Sequence, residues 1–265
     1  MEIVGNGFLA RHLAPLTGAH DEVVAFAAGP SSTRATDAAE FDREAAALYA
    51  WVRRCRADGR LLLYFSTASA SMYGGADGPG REDGPVLPGS AFGRHKLAME
   101  GVLKASAPRH LILRLGHAAG PGQRPHQLVP ALVRQVLAGR VLIQRGACRD
   151  LIAVAHAVGL VERLLSAGVV NDVVNVASGT AVSVEEIVTH LEGRIGVRAR
   201  REYVRAAGPQ TPVSVDRLRR LLGGGEGVPP FPGDYYRTVL DACLTADSGS
   251  PVGVEPNPDR GGHRP

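Results

Sequence analysis

The feature that most constrains the fold is the alternation of short apolar runs with helical segments along the first half of the chain. Leu61–Ser66 is a continuous apolar run, typical of a parallel strand that is covered on both faces. Glu22–Ala28 and His110–Leu115 are similar runs, and helical periodicity marks the intervening segments Phe41–Ala57 and Phe92–Ala105. This alternation predicts an α/β fold with a Rossmann-like, doubly wound parallel sheet and right-handed crossovers.

The pattern of predicted strands and helices changes after Gly116. A mainly nucleotide-cofactor-binding domain is therefore predicted at residues 1–116, and a smaller, mainly substrate-binding portion at 117–244, with some strands returning to the sheet. Residues 245–265 are rich in proline and glycine and predict a disordered tail. The later predicted elements are helices at Gln127–Leu137 and Leu151–Ala167, strands at Val141–Gln144 and Val173–Val176, and a helix that begins at Ser183 with a capping box to Glu186.

Composition excludes several classes of protein. The three cysteines have no paired spacing, which argues against a disulfide framework or a zinc site and favours a reducing, cytoplasmic location. No apolar stretch is long enough to span a membrane, and no secretory signal is expected. The net charge is +4, but the arginines are spread along the chain, so an anionic cofactor is a better explanation than nucleic acid. We expect a monomer or a homodimer without a metal.

The N-terminal segment GNGFLAR fits the pattern G-x-G-x-x-A immediately after a predicted strand and at the start of a predicted helix. Gly5 would allow the tight turn, and Gly7 would let the backbone approach a pyrophosphate. An ordinary turn between a strand and a helix remains the alternative.

Two later segments, FSTASASMYG and AFGRHKLAMEGVL, resemble the active-site strand and helix of extended short-chain dehydrogenases/reductases, which include NAD-dependent epimerases, dehydratases and ketoreductases. LRLGHAAGPGQ, CRDLIAVAHAVGLVERLL and VVNVASGTAVSVEEIV extend the resemblance, in order, over residues 1–195. It implies a proton-exchanging tyrosine and, four residues later on one helical face, a lysine that holds the nicotinamide ribose. Lys96 is the lysine, but Phe92 stands at the position of the tyrosine and has no proton to exchange. An inactive paralogue or an engineered substitution is one explanation.

A second departure is that only one strand and one long helix separate the glycine turn from the FSTAS strand, where the family has two further strand-and-helix units. The strand that carries the acid for an adenosine ribose hydroxyl is thus expected to be absent. With Arg11 and the loop Ser31–Arg34 nearby, this favours NADPH over NADH, although NADH remains possible. Arg34→Ala is expected to narrow that preference.

A third departure is that Ala155 and His156 replace the acidic pair that the family carries at the start of the substrate-domain helix. We interpret His156 as structural. His95 is rejected as a proton donor because it points about 100° away from Lys96 around the helix.

The resemblance and the residue chemistry give three sets of candidates. The catalytic set is Ser69, Thr67 and Lys96, with Phe92 at the tyrosine position. The substrate set is Ser69, Tyr73, Phe92 and Arg149, although Tyr73 also fits a structural role in its turn and Arg149 also fits a pair with Asp150. The cofactor set is Gly5, Asn6, Gly7, Phe8, Leu9, Arg11, Ala27, Ala28, Gly29, Ser31, Arg34, Ser66, Lys96, Leu115, Gly116 and His117.

The remaining problem is the proton, which Ser69, Thr67 or the substrate must supply. A phenol beside an aryl ketone has an acidity close to that of tyrosine, and aromatic polyketides have this geometry. The chain thus resembles the tyrosine-lacking angucyclinone (simocyclinone-type) ketoreductases of antibiotic biosynthesis, which implies an NADPH-dependent ketoreductase. The alternatives are a nucleotide-sugar 4-ketoreductase or epimerase, and a non-catalytic cofactor-binding scaffold.

Overall fold

The computed structural model describes residues 1–30, 36–74, 78–106, 108–205, 212–224 and 227–247. The strands are β1 (Glu2–Val4), β2 (Val23–Phe26), β3 (Leu61–Thr67), β4 (His110–Leu115), β5 (His117–Ala119), β6 (Arg140–Gln144), β7 (Cys148–Ala153), β8 (Asp172–Val176), β9 (Ala181–Ser183) and β10 (Arg200–Val204). The helices are α1 (Phe8–Leu13), α2 (Ala38–Asp58), α3 (Ala70–Tyr73), α4 (Ala91–Ser106), α5 (Leu128–Leu137), α6 (Val154–Ser166), α7 (Val184–Ile195), α8 (Asp216–Leu221) and α9 (Tyr235–Asp247).

The central sheet has five parallel strands in the order β1-β2-β3-β4-β8. Every residue of β3 is buried, as its continuous apolar sequence predicts. Alternate side chains of the strands point to opposite faces, and each face has its own core. One core contains α1, α6 and α8, and the other contains α2 and α4. The predicted α/β class and parallel Rossmann-like sheet are confirmed.

The cofactor side of the sheet is short. Between α1 and β3 the described chain contains a 3-10 turn, β2 and α2, and β1 has β2 as its one partner in the sheet. Helix α2 begins at Ala38 rather than at Phe41 as predicted, because the Asp37 side chain accepts a hydrogen bond from the backbone N–H of Ala39. It ends at Gly59, whose φ of 69° is left-handed.

The chain after Gly116 adds a three-stranded sheet, β5-β7-β9, and a two-stranded sheet, β10-β6, and returns β8 to the central sheet. The predicted helix at Leu151–Ala167 is wrong in its first residues: Leu151–Ala153 belong to β7, and α6 begins at Val154. Pairing with β5 on one side and β9 on the other determines this strand, and neither partner is visible in the local pattern.

The predicted capping box is confirmed at the start of α7, where Ser183 and Glu186 exchange hydrogen bonds. The predicted disordered tail is wrong at its start, since α9 continues through Thr245 to Asp247, and the rest of it lies outside the described residues. Within the described part of the chain, no helix is long and apolar enough to cross a bilayer.

Candidate functional site

A cavity of about 310 Å³ opens at the carboxyl ends of β2, β3 and β4 and extends toward α5. Ligands of open parallel sheets bind at this end of the strands. The sheet side of the cavity is lined by Gly7, Phe8, Leu9, Phe26, Ala27, Gly29, Pro30, Phe65, Ser66, Thr67, Phe92, Lys96, Leu115, Gly116 and His117. The opposite side is lined mainly by apolar and amide side chains, among them Gln123, Gln127, Leu128, Val129, Leu132, Gln135, Leu142, Gln144, Leu151 and Val184, together with His126 and Arg149.

The glycine turn borders this cavity. Gly5 has a φ of 117°, and a Cβ atom there would lie 2.6 Å from the carbonyl oxygen of Ala27, so the turn requires glycine. Gly7 lines the cavity, and a Cβ atom on it would meet no atom within 4 Å. Asn6 is exposed and does not line the cavity. The backbone at Gly7 is therefore accessible from the cavity.

Lys96 lies at the inner end of the cavity within a buried polar cluster. Its Nζ donates to Glu44 Oε1 at 2.7 Å and to the carbonyl oxygen of Phe65 at 3.1 Å, and lies 3.2 Å from the Tyr64 hydroxyl. Nζ is also 5.8 Å from the centre of the Phe92 ring, so the two side chains share the helix face that their spacing predicts. Lys96 thus reaches the cavity as one half of an ion pair.

Glu44 organises this cluster. Burial opposes its ionisation, but the Lys96 ammonium and hydrogen bonds from His95, Lys96 and Tyr64 outweigh burial and lower the pKa of Glu44 to about 2. The His95 ring lies 2.9 Å from Glu44 Oε2, and it stacks on Phe41 with ring centres 4.5 Å apart. A Cβ atom on Gly29 would lie 2.5 Å from the Glu44 carboxylate, so Gly29 lets the chain pass close over the ion pair.

The sequence reasoning missed Glu44, although a signal was present. The buried residues of α2 are Glu44, Leu48, Val52 and Cys55, which follow one helical stripe. A carboxylate in register with an apolar stripe must be buried and therefore needs a partner. That partner is 52 positions away in sequence.

The two candidate hydroxyls at the end of β3 contact each other. Thr67 Oγ1 lies 2.9 Å from Ser69 Oγ and accepts a hydrogen bond from the Ser69 backbone N–H. Ser69 also caps α3 by accepting from the Ser71 N–H. Thr67 lines the main cavity, whereas Ser69 lines an adjoining cavity of about 20 Å³, which has room for about one water molecule. The two cavities share Gly116, His117 and Arg149.

Among the described residues, no tyrosine lines either cavity. Tyr64 is fully buried, and burial with the adjacent Glu44 carboxylate raises its pKa well above the usual value, which makes it a poorer acid. Tyr73 is also fully buried: it donates to Asn175 Oδ1 and accepts from Arg114 Nη1, both at 2.8 Å. The prediction that Tyr73 contacts substrate is therefore corrected, because its hydroxyl is committed to the interior, as its alternative structural role requires.

Ser66 connects the cavity to that interior network. It lines the cavity and donates to Glu100 Oε1 at 2.6 Å, and Glu100 forms a bidentate pair with Arg114. Glu100 and Arg114 are buried, and the sequence reasoning did not single them out. Ser66 is thus anchored by a charged acceptor behind it.

His117 and Arg149 lie where the two cavities meet. Burial, and to a smaller degree the Arg149 guanidinium, lowers the pKa of His117 to about 3, so this imidazole is neutral at physiological pH. Arg149 Nη1 donates to the carbonyl oxygen of Cys148. The Asp150 carboxylate accepts hydrogen bonds from the backbone N–H groups of Ser178 and Gly179. These bonds, rather than the alternative pairing with Arg149, hold the carboxylate in place.

The remaining candidates separate into three groups. Leu9, Ala27, Leu115 and Gly116 line the main cavity. Arg11 and Ala28 do not: Arg11 donates to the carbonyl oxygens of Asn6 and Gly122, and Ala28 is exposed. Arg11 lies outside this lining because it bonds across the surface to the Gly122 turn, and the contact of both residues with a cofactor stays a prediction. Ser31 and Arg34 lie outside the described residues.

His156 packs away from the cavity against α9. Its Nδ1 lies 2.8 Å from the Tyr235 hydroxyl, and its ring stacks on Tyr235 with centres 5.7 Å apart. That hydroxyl also accepts from the Ala153 N–H. This placement agrees with a structural role. Among the described residues, no group of His, Cys, Asp and Glu is arranged to hold a metal ion.

The chain combines a parallel sheet, a glycine turn, a cavity at the carboxyl ends of the strands and a helix that brings Lys96 to this cavity. This combination defines the architecture of an oxidoreductase with a nucleotide cofactor. Residues 6–177 match the model of the NAD dependent epimerase/dehydratase family. The chain belongs to this family. No curated protein matches the chain in sequence.

Solved structures with the same architecture include MoeE5 in complex with UDP-glucuronic acid and NAD, which is 27% identical with a TM-score of 0.72 over 92% of this chain and 85% of that one. TunA, an NAD-dependent NDP-hexosamine 5,6-dehydratase of tunicamycin biosynthesis, is 21% identical with a TM-score of 0.74 over 90% and 80%. RMD from Pseudomonas aeruginosa complexed with NADPH is 21% identical with a TM-score of 0.73 over 90% and 96%. At these identities the last two show the fold alone.

Proposed function

We propose that the protein is a nicotinamide-dependent ketoreductase whose substrate, rather than a tyrosine of the protein, supplies the proton. The observation that carries the proposal is that Phe92 lies beside Lys96 at the inner end of the cavity, while no tyrosine in the described part of the chain lines it. The protein therefore lacks the tyrosine phenol that the family carries at this position, but it keeps the surrounding cavity.

The residues present fit the nicotinamide end of a cofactor. Gly7 leaves open space beside the glycine turn, and Thr67, Lys96 and His117 bring polar groups to the cavity. A reduced nicotinamide, when bound, supplies the hydride. Lys96 would hold its ribose, and Glu44 would hold Lys96 in place. The predicted preference for NADPH falls on residues 31–35, which the structure does not describe, and it stays a prediction.

The direction of the reaction follows from the acids and bases. Oxidation of an alcohol needs a base to accept the hydroxyl proton. Among the described residues no carboxylate lines the cavity, and His117, on the sheet side, is a weak base with a pKa of about 3; the second histidine, His126, lines the opposite side with Gln123 and Gln127. Reduction of a ketone needs an acid instead, and a phenol adjacent to the ketone brings one of nearly the same pKa as tyrosine. These constraints favour reduction over epimerisation or dehydration.

The substrate side of the cavity supports a largely apolar ligand. Its lining is mainly aliphatic, with residues such as Leu128, Leu132 and Leu151, and it adds the amides of four glutamines, the His126 imidazole and the Arg149 guanidinium. Such a lining suits the flat, oxygen-bearing rings of an aromatic polyketide, with the apolar side chains against the ring faces and the amides at the oxygens. We therefore keep the aromatic ketone with a neighbouring phenol as the substrate class.

A nucleotide-sugar 4-ketoreductase or epimerase is the second candidate. Two observations favour it: the 27% identity to MoeE5, a structure with a nucleotide sugar and NAD, and the position of Arg149 where both cavities meet, at which a guanidinium would bind a phosphate well. In this candidate the protein must supply the proton, because a nucleotide sugar carries no phenol, and the contacting hydroxyls of Thr67 and Ser69 are our candidate source.

The test is dihydronicotinamide oxidation with an aryl ketone that has an adjacent phenol, with its phenol methyl ether, and with a nucleotide-4-keto sugar. We expect turnover of the free phenol, loss of turnover with similar binding for the ether, and little gain from Phe92→Tyr. Normal reduction of the ether, or a large gain from Phe92→Tyr, would contradict substrate-supplied protonation. Turnover of the sugar alone would select the second candidate, and oxidation with none of them would favour a cofactor-binding scaffold.

A further inference from the structure

The free edge of β1 marks the end of the nucleotide-binding surface. A strand–helix–strand unit takes about 30 residues. The connection from β1 to β2 is residues 5–22, and that from β2 to α2 is residues 27–37, so neither has room for another unit. No described strand lies beyond β1, so β1 is an edge strand of the described sheet and the other four strands follow on one side of it.

A dinucleotide site in this fold class has two halves, which bind one mononucleotide each on either side of the point where the strand order reverses. Here the strand order from β1 to β8 has no reversal. The cavity lies on one side of β1 only. It follows the carboxyl ends of β2, β3 and β4 from the glycine turn to Phe92 and His117. In the part of the chain that the structure describes, no carboxylate lines this cavity that could bind an adenosine ribose hydroxyl.

We propose that this site recognises the nicotinamide mononucleotide half of its cofactor and leaves the adenosine half without a built site. Reduced nicotinamide mononucleotide is then about as good a ligand as NADH or NADPH. The proposal rests on the proposed function, because it assumes that a reduced nicotinamide binds in this cavity. It also opposes the NADPH preference that the loop at residues 31–35 predicts, and one experiment separates them.

The experiment titrates the full chain with reduced nicotinamide mononucleotide, NADH and NADPH, each followed by dihydronicotinamide fluorescence and by calorimetry. We expect the dissociation constants to agree within about tenfold, or 1.4 kcal/mol. ADP-ribose, which carries the adenosine half alone, should not displace the mononucleotide. Lys96→Ala should weaken all three ligands by a similar factor, since Lys96 would hold the nicotinamide ribose that all three share.

Binding of NADH or NADPH more than about tenfold tighter than the mononucleotide would overturn the proposal while leaving the proposed function intact. If that advantage belonged to NADPH and disappeared in Arg34→Ala, the loop at residues 31–35 would supply the adenosine site. Failure of all three nucleotides to bind would instead overturn the proposed function itself, so the two failures are distinguishable.

Discussion

At the scale of single residues, the hydroxyl of Ser69 has two separable roles. It caps α3, and it faces the small cavity that joins the main cavity at His117. If it only steadies a developing alkoxide, Ser69→Ala should lower kcat/KM by the value of one hydrogen bond to a charge, about 1.5–3 kcal/mol. A larger loss, toward the upper part of the 10²–10⁴-fold range that a general acid typically contributes, would identify Ser69 as the proton route.

Loss of the α3 cap must be separated from that effect. Replacing a serine cap costs about 1 kcal/mol of stability, which thermal unfolding of Ser69→Ala measures independently of turnover. Thr67→Val is the matched variant: it removes the hydroxyl that contacts Ser69 and keeps the serine cap. Equal kinetic losses in both variants would indicate that the two hydroxyls act as one chain.

The Glu44–Lys96 pair predicts a specific acid sensitivity. The folded state lowers the pKa of Glu44 from 4.5 to about 2, so its stabilising contribution is complete above pH 4.5 and is lost as the pH falls toward 2. The size of that shift corresponds to about 3 kcal/mol. We expect Glu44→Gln to be less stable than the native chain at pH 7, and the gap in urea unfolding to close as the pH approaches 2.

Lys96→Ala is the counterpart of that change. It leaves Glu44 buried without its ammonium partner, which costs about 3–5 kcal/mol when one member of a buried pair is removed. It should also lower turnover through poorer cofactor positioning, since no cavity tyrosine is present whose pKa it could tune. A difference in unfolding free energy between Glu44→Gln and the native chain that stays constant from pH 7 to pH 2 would contradict the Glu44–Lys96 pairing.

At the scale of elements, the start of α7 connects local sequence to the cavity. The Ser183–Glu186 capping box begins this helix, and Val184, its first residue, lines the side of the cavity opposite the sheet. Ser183→Ala should destabilise the protein by about 1 kcal/mol in thermal or urea unfolding. Ser166→Ala, at the exposed last residue of α6, is the matched control and should change stability by less than about 0.5 kcal/mol. Equal effects would show that the cap contributes nothing.

At the scale of the whole molecule, the sheet is stabilised unevenly. Strand β3 is buried along its whole length between β2 and β4, whereas β1 is short, half-buried and paired on one side. Opening free energies follow burial and pairing. Hydrogen exchange read by mass spectrometry should therefore show slow exchange in Leu61–Thr67 and faster exchange in Glu2–Val4. Equal protection would mean that the edge of β1 is covered by a segment or partner outside the described residues.

The sequence by itself determined the features that depend on neighbours along the chain. Continuous apolar runs predicted the parallel sheet, and chain length between motifs predicted its short cofactor side. Spacing of four residues placed Phe92 and Lys96 on one face, and the serine and glutamate three apart formed the cap of α7. Each follows from helix or strand periodicity, which local sequence fixes.

Only the tertiary structure decided the features that depend on distant partners. Lys96 pairs with Glu44, 52 positions away in sequence, and Arg114 donates a hydrogen bond to Tyr73, 41 positions away. The second contact explains why Tyr73, predicted to contact substrate, is an interior residue. Leu151–Ala153 became a strand because β5 and β9 pair with it. Burying a charge or an unpaired strand edge is costly, so the final partner is chosen by what the folded chain brings near. That choice is not encoded in any local spacing.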